Sequence, residues 1–325
     1  MKAVTNPRGA PIDYLRVSIT DRCNLRCIYC MPPEGLTPAP HESILTYEEI
    51  CMVVRVGVQC GIRKVRITGG EPLVRRNVLG CVTSLGQISG LQEVSMTTNG
   101  VSLCDFAADL RIAGVDRINI SLDTLDREKF KRITRRDSLV SVLRGIDAVL
   151  RLGFEPVKIN VVAMKGLNDD EIGAFGKLTI DRPLHVRFIE FMAVGGLAQR
   201  QSGLFFPAEA VKKRLETIGA LEQAGRIRGN GPARYFSYRN ALGTVGLISP
   251  LSNGFCEACN RLRLTADGNL RSCLLSDDEI DVKGPLRSGS SEKTIGDLFR
   301  QAVARKTYRH DTSCRNHRYM RSIGG

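Results

Sequence analysis

The chain has 325 residues, a formal net charge of +13, no tryptophan and eleven cysteines. No run approaches the roughly 20 apolar residues of a membrane span, and the N-terminus lacks the apolar stretch of a secretion signal, so we expect a cytoplasmic protein without membrane partners. In that reducing compartment the cysteines favour metal ligands and buried thiols over disulfides. The positive charge indicates either an anionic ligand or a solvated basic surface.

β-branched runs alternate with amphipathic helical patterns through the first two thirds of the chain. Strands are predicted at residues 14–20, 64–68, 93–97, 117–122, 157–162 and 186–191. Helices are predicted at about 46–60, 78–88, 103–114, 126–133 and 140–152, after 168–171, and at 207–218. Six strand–helix units predict an α/β fold, an incomplete (β/α)6 TIM-type barrel with parallel strands and right-handed crossovers.

The pattern changes after about residue 220. Short strands are predicted at 234–238 and 243–248, and a hairpin with arms at 262–265 and 269–272 surrounds the turn Ala266-Asp267-Gly268. A helix is predicted at about 294–306. We therefore expect two domains, a partial barrel at 1–220 and a C-terminal α+β module at 221–325 that covers the barrel mouth.

A first group of three thiols, Cys23, Cys27 and Cys30, stands in a C-x3-C-x2-C run directly after the first predicted strand. This spacing lets one loop wrap three thiolates around a single centre. Three ligands leave one iron of a four-iron cluster open, and an open position is where a metal site carries out chemistry. The alternative is a loop zinc site completed by a distant fourth ligand.

A second group of three thiols lies in the C-terminal part, where the predicted hairpin folds Cys273 back beside Cys256 and Cys259. A second cluster with an open iron fits this group, and Arg261 and Arg263 would place cationic donors beside it for an anionic substrate. The alternative is a structural zinc site whose remaining ligand is one of the downstream residues His310, Cys314 and His317.

Other unusual polar residues follow predicted strands at 97–99, 121–123 and 190–192, so a parallel barrel brings them to one mouth. The run Gly69-Gly70-Glu71-Pro72 ends the second strand, and its glycines leave backbone groups free to approach a ligand closely. We expect this run to hold the amino end of a small cofactor.

Three cations lie within predicted strands, where charged side chains are costly unless they are paired: Arg16, Arg66 and Lys158. If all three point into one barrel they form an anion pocket. The alternative is that each reaches solvent from the end of its strand.

On these residues the chain resembles the radical S-adenosylmethionine superfamily. The cysteine run with Tyr29 before its last thiol, the Gly69-Gly70-Glu71-Pro72 run and the six strand–helix units carry the resemblance. The second thiol group with Arg261-Leu262-Arg263 inside it, and the tail Gly324-Gly325, make the chain similar to the MoaA family of molybdenum cofactor biosynthesis. The resemblance covers essentially the whole chain and departs at no motif position.

The resemblance implies two [4Fe-4S] clusters, each with an open iron. The first, at Cys23, Cys27 and Cys30, would chelate S-adenosylmethionine, and the second, at Cys256, Cys259 and Cys273, would bind the guanine base. The implied S-adenosylmethionine contacts are Tyr29, Gly70, Ser121 and Met192. The implied GTP contacts are Arg16, Arg66, Thr97, Lys158, Arg261, Leu262 and Arg263. The implied catalytic residues are Arg263, Gly324 and Gly325.

The implied activity is that of a GTP 3′,8-cyclase, a lyase. Cleavage of S-adenosylmethionine would give a 5′-deoxyadenosyl radical that abstracts the C3′ hydrogen of GTP, and attack on C8 would yield (8S)-3′,8-cyclo-7,8-dihydroguanosine 5′-triphosphate. Cyclic pyranopterin monophosphate synthase would act on this product. The electron would come from a reduced donor such as flavodoxin or ferredoxin, and the enzyme would be a monomer or a homodimer.

Two alternatives remain open on the residues. Another radical S-adenosylmethionine enzyme with an auxiliary cluster would act on a peptide or a different small molecule. A basic nucleic-acid binder is disfavoured because aromatic residues make up only 6% of the chain and are not interleaved with Lys and Arg.

Overall fold

The computed structural model describes residues 4–5, 9–192, 194, 203–225, 227–229, 231–306 and 318–324. Its strands are β1 (Tyr14–Ser18), β2 (Lys64–Thr68), β3 (Glu93–Thr98), β4 (Arg117–Ser121), β5 (Val157–Ala163), β6 (Leu184–Glu190), β7 (Leu221–Gln223), β8 (Arg234–Tyr238), β9 (Thr244–Ile248), β10 (Arg261–Leu264), β11 (Asn269–Arg271) and β12 (Glu279–Asp281). They form a twelve-stranded sheet in the order β12-β11-β10-β1-β2-β3-β4-β5-β6-β9-β8-β7.

The α-helices lie between and after these strands. They are α1 (Tyr47–Gln59), α2 (Val78–Gly86), α3 (Leu103–Ile112), α4 (Arg127–Thr134), α5 (Leu139–Arg151), α6 (Ile172–Asp181), α7 (Ala208–Glu216), α8 (Lys283–Arg287), α9 (Glu292–Ala304) and α10 (Met320–Ile323). Helix α1 begins with a capping box in which Thr46 and Glu49 each accept a hydrogen bond from the other's backbone N–H. None of the described helices is long and apolar enough to cross a membrane.

The parallel α/β core is confirmed, because β1 to β6 pair in parallel in chain order. Their side chains are buried almost without interruption, as expected for strands covered on both faces. The predicted hairpin is confirmed, because β10 pairs antiparallel with β11. The predicted strands β8 and β9 also pair antiparallel. The sequence does not predict β7 and β12, which pair antiparallel with β8 and β11.

The C-terminal strands join the core sheet at both of its edges, which the sequence does not predict. Strand β10 pairs in parallel with β1, and β9 pairs in parallel with β6. Helix α9 packs on α1, where the Phe299 ring lies so close to Gly57 that an added Cβ would stand 3.1 Å from it. The C-terminal segment therefore shares its sheet and its core with the barrel, and the boundary near residue 220 stays a prediction.

Candidate active site

Most of the predicted site residues line one cavity of about 340 Å³ inside the curled sheet. Those that line it are Arg16, Cys23, Cys27, Tyr29, Cys30, Arg66, Gly70, Thr97, Ser121, Lys158, Met192, Cys256, Cys259, Arg261, Arg263 and Cys273. Leu262 does not line it, because alternate residues of β10 face opposite sides and Leu262 is fully buried in the hydrophobic core. Gly325 lies outside the described residues.

The first thiol group is held by the last turn of α4 and by Arg135, which follows that helix. The backbone N–H of Ile28 donates to the carbonyl of Ile133 over 2.9 Å, and the Arg135 guanidinium donates to the carbonyls of Arg26 and Met31. Burial raises the pKa of Cys23 to about 11 and that of Cys30 to about 12. Because metal ligands must be thiolates, binding a metal centre here releases protons.

The Gly69-Gly70-Glu71-Pro72 run lies directly against this cysteine loop. The Gly70 N–H donates to the Thr20 carbonyl over 2.7 Å, and the Glu71 N–H donates to the Arg22 carbonyl over 2.8 Å. A Cβ on Gly70 would stand 2.3 Å from the Arg22 oxygen, so glycine is required for this approach.

Glu71 holds the same region in place through hydrogen bonds to the end of β3. Its buried carboxylate accepts hydrogen bonds from the Thr98 hydroxyl over 2.7 Å and from the Asn99 N–H over 2.6 Å. The Asn99 side chain in turn lies 3.8 Å from the Cys23 sulfur. Burial raises the pKa of Glu71 to about 7. The glycine run, the end of β3 and the first cysteine are thus one hydrogen-bonded unit.

Three of the four predicted S-adenosylmethionine contacts lie near the ends of β4 to β6, whereas Gly70 follows β2. The Tyr29 hydroxyl donates to the Asp123 carboxylate, which also accepts from the Val162 N–H over 2.8 Å. Burial raises the pKa of Asp123 to about 6. Ser121 and Met192 are half-buried and face the same cavity.

The second thiol group flanks the hairpin of β10 and β11, with Cys256 and Cys259 before β10 and Cys273 after β11. Cys256 begins a short 3-10 helix, and the Cys259 N–H donates to the Cys256 carbonyl over 3.1 Å. Against burial, which would raise it, the Arg261 and Lys306 cations lower the pKa of Cys259 to about 7. One arm of the predicted hairpin is β10 and the other is β11, which leads into Cys273.

The chain's end reaches the site beside β1 and β2. The Arg263 guanidinium donates to the Gly324 carbonyl over 2.5 Å. Gly324 has a left-handed φ of 71°, and an added Cβ would stand 3.0 Å from Cβ of Ser18 and 2.9 Å from Cγ2 of Thr68. Arg321 lines the cavity and donates to the Leu36 carbonyl after the first cysteine loop.

Buried basic side chains form part of the cavity wall. Burial and then Arg187 and Arg117 lower the pKa of Lys158 to about 6, and burial lowers the pKa of Arg66 to about 10. Among the described residues, no carboxylate forms an ion pair with Arg66, Lys158 or Arg187, whereas Arg117 pairs with Glu93. Basic side chains buried together without carboxylate partners suit a multiply charged anion, because its binding favours their charged forms.

Sequence reasoning missed four cationic residues that line the cavity: Arg117, Arg187, Lys306 and Arg321. The first two lie within predicted strands, so the same signal that singled out Lys158 could have found them. Lys306 follows a helix and Arg321 lies near the terminus, and nothing in their local sequence distinguishes them.

The chemistry of the donor groups bears on which metal centre they suit. Each group supplies three cysteine thiols that line the cavity, and thiolates are the ligands that hold iron–sulfur clusters. The donors present therefore fit a cluster. The alternative ligands His310, Cys314 and His317 lie outside the described residues.

Comparisons with known proteins agree along the chain. The family model described as the radical SAM superfamily matches residues 17–178, and that described as Molybdenum Cofactor Synthesis C matches residues 184–312. The chain is 49% identical over 316 residues to the GTP 3′,8-cyclase of Moorella thermoacetica, with 97% of this chain and 98% of the relative covered. It is also 49% identical over 300 residues to the GTP 3′,8-cyclase of Heliobacterium modesticaldum, with 92% of each covered.

A solved structure shares the fold. Streptococcus suis SuiB, in its crystal structure bound to S-adenosylmethionine, superposes with a TM-score of 0.56 at 14% identity, over 88% of this chain and 67% of SuiB.

Proposed function

The chain belongs to the GTP 3′,8-cyclase family of radical S-adenosylmethionine enzymes in molybdenum cofactor biosynthesis, and on this premise we propose which residues carry out the reaction. Cys23, Cys27 and Cys30 hold the [4Fe-4S] cluster that the superfamily implies. S-adenosylmethionine lies against Tyr29, Gly70, Ser121 and Met192. The support is that these residues line one cavity, and that Gly70 is packed on the cysteine loop.

Cys256, Cys259 and Cys273 hold a second [4Fe-4S] cluster on the other side of the cavity. Its support is the cationic setting of Cys259 and the position of all three thiols in the cavity wall. When bound, the first cluster and S-adenosylmethionine supply a 5′-deoxyadenosyl radical, and the second cluster supplies an open iron for the base.

The chain's own residues bind and orient GTP between the two thiol groups. Arg16, Arg66 and Lys158 bind the triphosphate, Thr97 contacts the ribose side, and Arg261, Leu262 and Arg263 border the base. Leu262 can contribute only its backbone, because its side chain lies in the core. Arg263 also fixes the tail through the Gly324 carbonyl, so Gly324 helps to exclude water from the site. The catalytic role of Gly325 is proposed from the family alone.

The observation that carries this proposal is the single cavity whose wall contains both thiol groups and the buried cations. Its test is an anaerobic iron and sulfide count. The wild-type chain should hold about eight irons, and the triple variants Cys23→Ala/Cys27→Ala/Cys30→Ala and Cys256→Ala/Cys259→Ala/Cys273→Ala about four each. A second-group variant with the full wild-type iron content would contradict the second cluster.

The substrate is tested separately with the reconstituted chain and a chemical reductant. GTP should be required for 5′-deoxyadenosine to form together with a cyclised nucleotide. If 5′-deoxyadenosine formed without GTP and no cyclised product appeared, the assignment of these residues to GTP would fail. Steeply salt-dependent binding of RNA or DNA would instead indicate the nucleic-acid alternative.

The remaining partners follow from the reaction. Cyclic pyranopterin monophosphate synthase consumes the product, and a reduced flavodoxin or ferredoxin supplies the electron in the cytoplasm. The enzyme works as a monomer or a homodimer. Sedimentation of the reconstituted chain tests the last point.

A further inference from the structure

Lys306 is a buried lysine beside the second thiol group that the reaction described above does not use. It follows α9 and is 5% exposed. Its Nζ donates to the carbonyl oxygens of Arg261 and Ser272, over 2.8 Å in both cases. Both oxygens lie in the segments that carry the cysteines.

These two hydrogen bonds join the arms of the hairpin where its own ladder has stopped. Strands β10 and β11 pair at Arg263 with Arg271 and at Leu264 with Leu270. Arg261 is two residues after Cys259, and Ser272 immediately precedes Cys273. The Lys306 ammonium therefore holds Cys259 and Cys273 at a fixed separation in place of a further backbone pair.

The charge of Lys306 has no carboxylate partner among the described residues. An ammonium buried without a counter-charge is costly. The groups beside it that can become negative are the thiols of Cys256 and Cys259, on whose electrostatics it acts together with Arg261. Three thiolates around a metal centre supply the missing negative charge.

We propose that Lys306 is a positioning residue of the second metal centre, which sets the separation of its thiol-bearing arms and balances the negative charge of its ligands. This proposal rests on the second cluster of the proposed function. It predicts that Lys306 acts on cluster retention and on reduction potential, neither of which a distant packing residue would change.

The test uses the full chain carrying Cys23→Ala/Cys27→Ala/Cys30→Ala, so that only the second centre binds iron. Lys306→Met is compared in this background with Lys306→Arg, which keeps the charge, and with Lys283→Met. Lys283 is the matched control, because its Nζ also donates over 2.8 Å to a backbone carbonyl, that of Ser43, in another part of the molecule. Iron loss to a chelator and the reduction potential are measured anaerobically.

Lys306→Met should release its iron about 10-fold to 100-fold faster than the parent, the effect typical of removing a residue that supports metal ligands. Its reduction potential should fall, because losing a nearby positive charge disfavours adding an electron. Lys306→Arg should restore most of both properties, and Lys283→Met should match the parent.

Equal iron retention and equal potential in Lys306→Met and Lys283→Met would overturn the role of Lys306 and leave the second cluster intact. If the parent itself binds no iron, the second cluster of the proposed function fails instead. Should Lys306→Met not fold, Lys306→Gln keeps a hydrogen-bond donor without the charge, and an unchanged potential in that variant would overturn the charge-balancing role.

Discussion

The buried side chain of Lys158 favours the binding of an anion, because a nearby negative charge offsets the free-energy cost of burying an ammonium. It is 2% exposed, and its Nζ donates to the Arg228 carbonyl over 2.6 Å. Burial and the neighbouring Arg187 and Arg117 lower its pKa to about 6, so the side chain is mostly the uncharged amine near pH 7.5. A bound triphosphate supplies negative charge and raises this pKa toward its ordinary value.

GTP binding should therefore take up about one proton at pH 7.5, and the affinity should fall as the pH rises above about 6, by up to tenfold per unit. The sign follows because the complex binds more protons than the free chain. Calorimetry in two buffers with different ionisation enthalpies measures the uptake. Lys158→Met should abolish most of it, and a binding enthalpy independent of buffer in the wild type would refute the prediction.

Arg263 joins the proposed substrate site to the tail. Arg263→Ala removes a charge-assisted hydrogen bond and should raise the KM for GTP by about tenfold to 100-fold, consistent with about 1.5–3 kcal/mol. The iron content of the first thiol group should stay unchanged. Arg263→Lys, which keeps the charge but loses the planar fork, should be intermediate, and unchanged GTP kinetics in the alanine variant would count against the role.

Among the elements, the turn after β2 has a packing role that its sequence only partly reveals. The sequence predicts a close backbone approach to a ligand, whereas the described contacts of Gly70 are with the cysteine loop. Gly70→Ala should therefore release iron from the first thiol group and destabilise the chain by several kcal/mol, because backbone atoms cannot move aside cheaply.

Gly86→Ala is the matched control for this substitution. Gly86 ends α2, and a Cβ there would meet no atom within 4 Å, so alanine should be neutral or slightly stabilising. Thermal unfolding and iron content of the two variants are compared. If Gly70→Ala retained wild-type values for both, the packing role of this turn would be wrong.

The elements that the sequence predicted are those with strong local patterns. Strand β2 spans 64–68 and β8 spans 234–238, as expected from their apolar and β-branched runs. The missed elements β7, β12, α8 and α10 have three to five residues, too few to show a period. The motif groups Leu262 with its arginine neighbours as a GTP contact, whereas strand alternation places its side chain on the opposite face of β10.

At the scale of the molecule, the parallel topology makes the position of the barrel mouth predictable from the sequence. It does not make predictable how the C-terminal segment covers that mouth. Strands β1 to β6 follow chain order, so their carboxyl ends must meet on one side. The pairing of β10 with β1, the approach of Gly324 to Ser18 and the bonds of Lys306 are contacts between distant parts of the chain. No local pattern encodes which distant partner each one meets.

The two parallel edge pairings predict that the barrel does not fold without the C-terminal segment. In a fragment of residues 1–220, β1 loses its four pairs with β10 and β6 loses its five pairs with β9. Each lost hydrogen bond removes about 1 kcal/mol of stability, and each buried Leu or Val that becomes exposed removes about 1.5–3 kcal/mol. The summed loss is comparable with the free energy of unfolding of a typical protein, about 5–15 kcal/mol. The exposed edges also invite aggregation.

We expect the reduced full chain to unfold in one transition, with circular dichroism and tyrosine fluorescence giving the same midpoint, and the fragment to be aggregated or without a cooperative transition. Urea titration of both proteins under anaerobic conditions measures this. A soluble fragment with its own cooperative transition would instead support an independent barrel domain ending near residue 220. In that case β9 and β10 would add to a sheet that is already stable, and the cavity between the two thiol groups would form only after the barrel has folded.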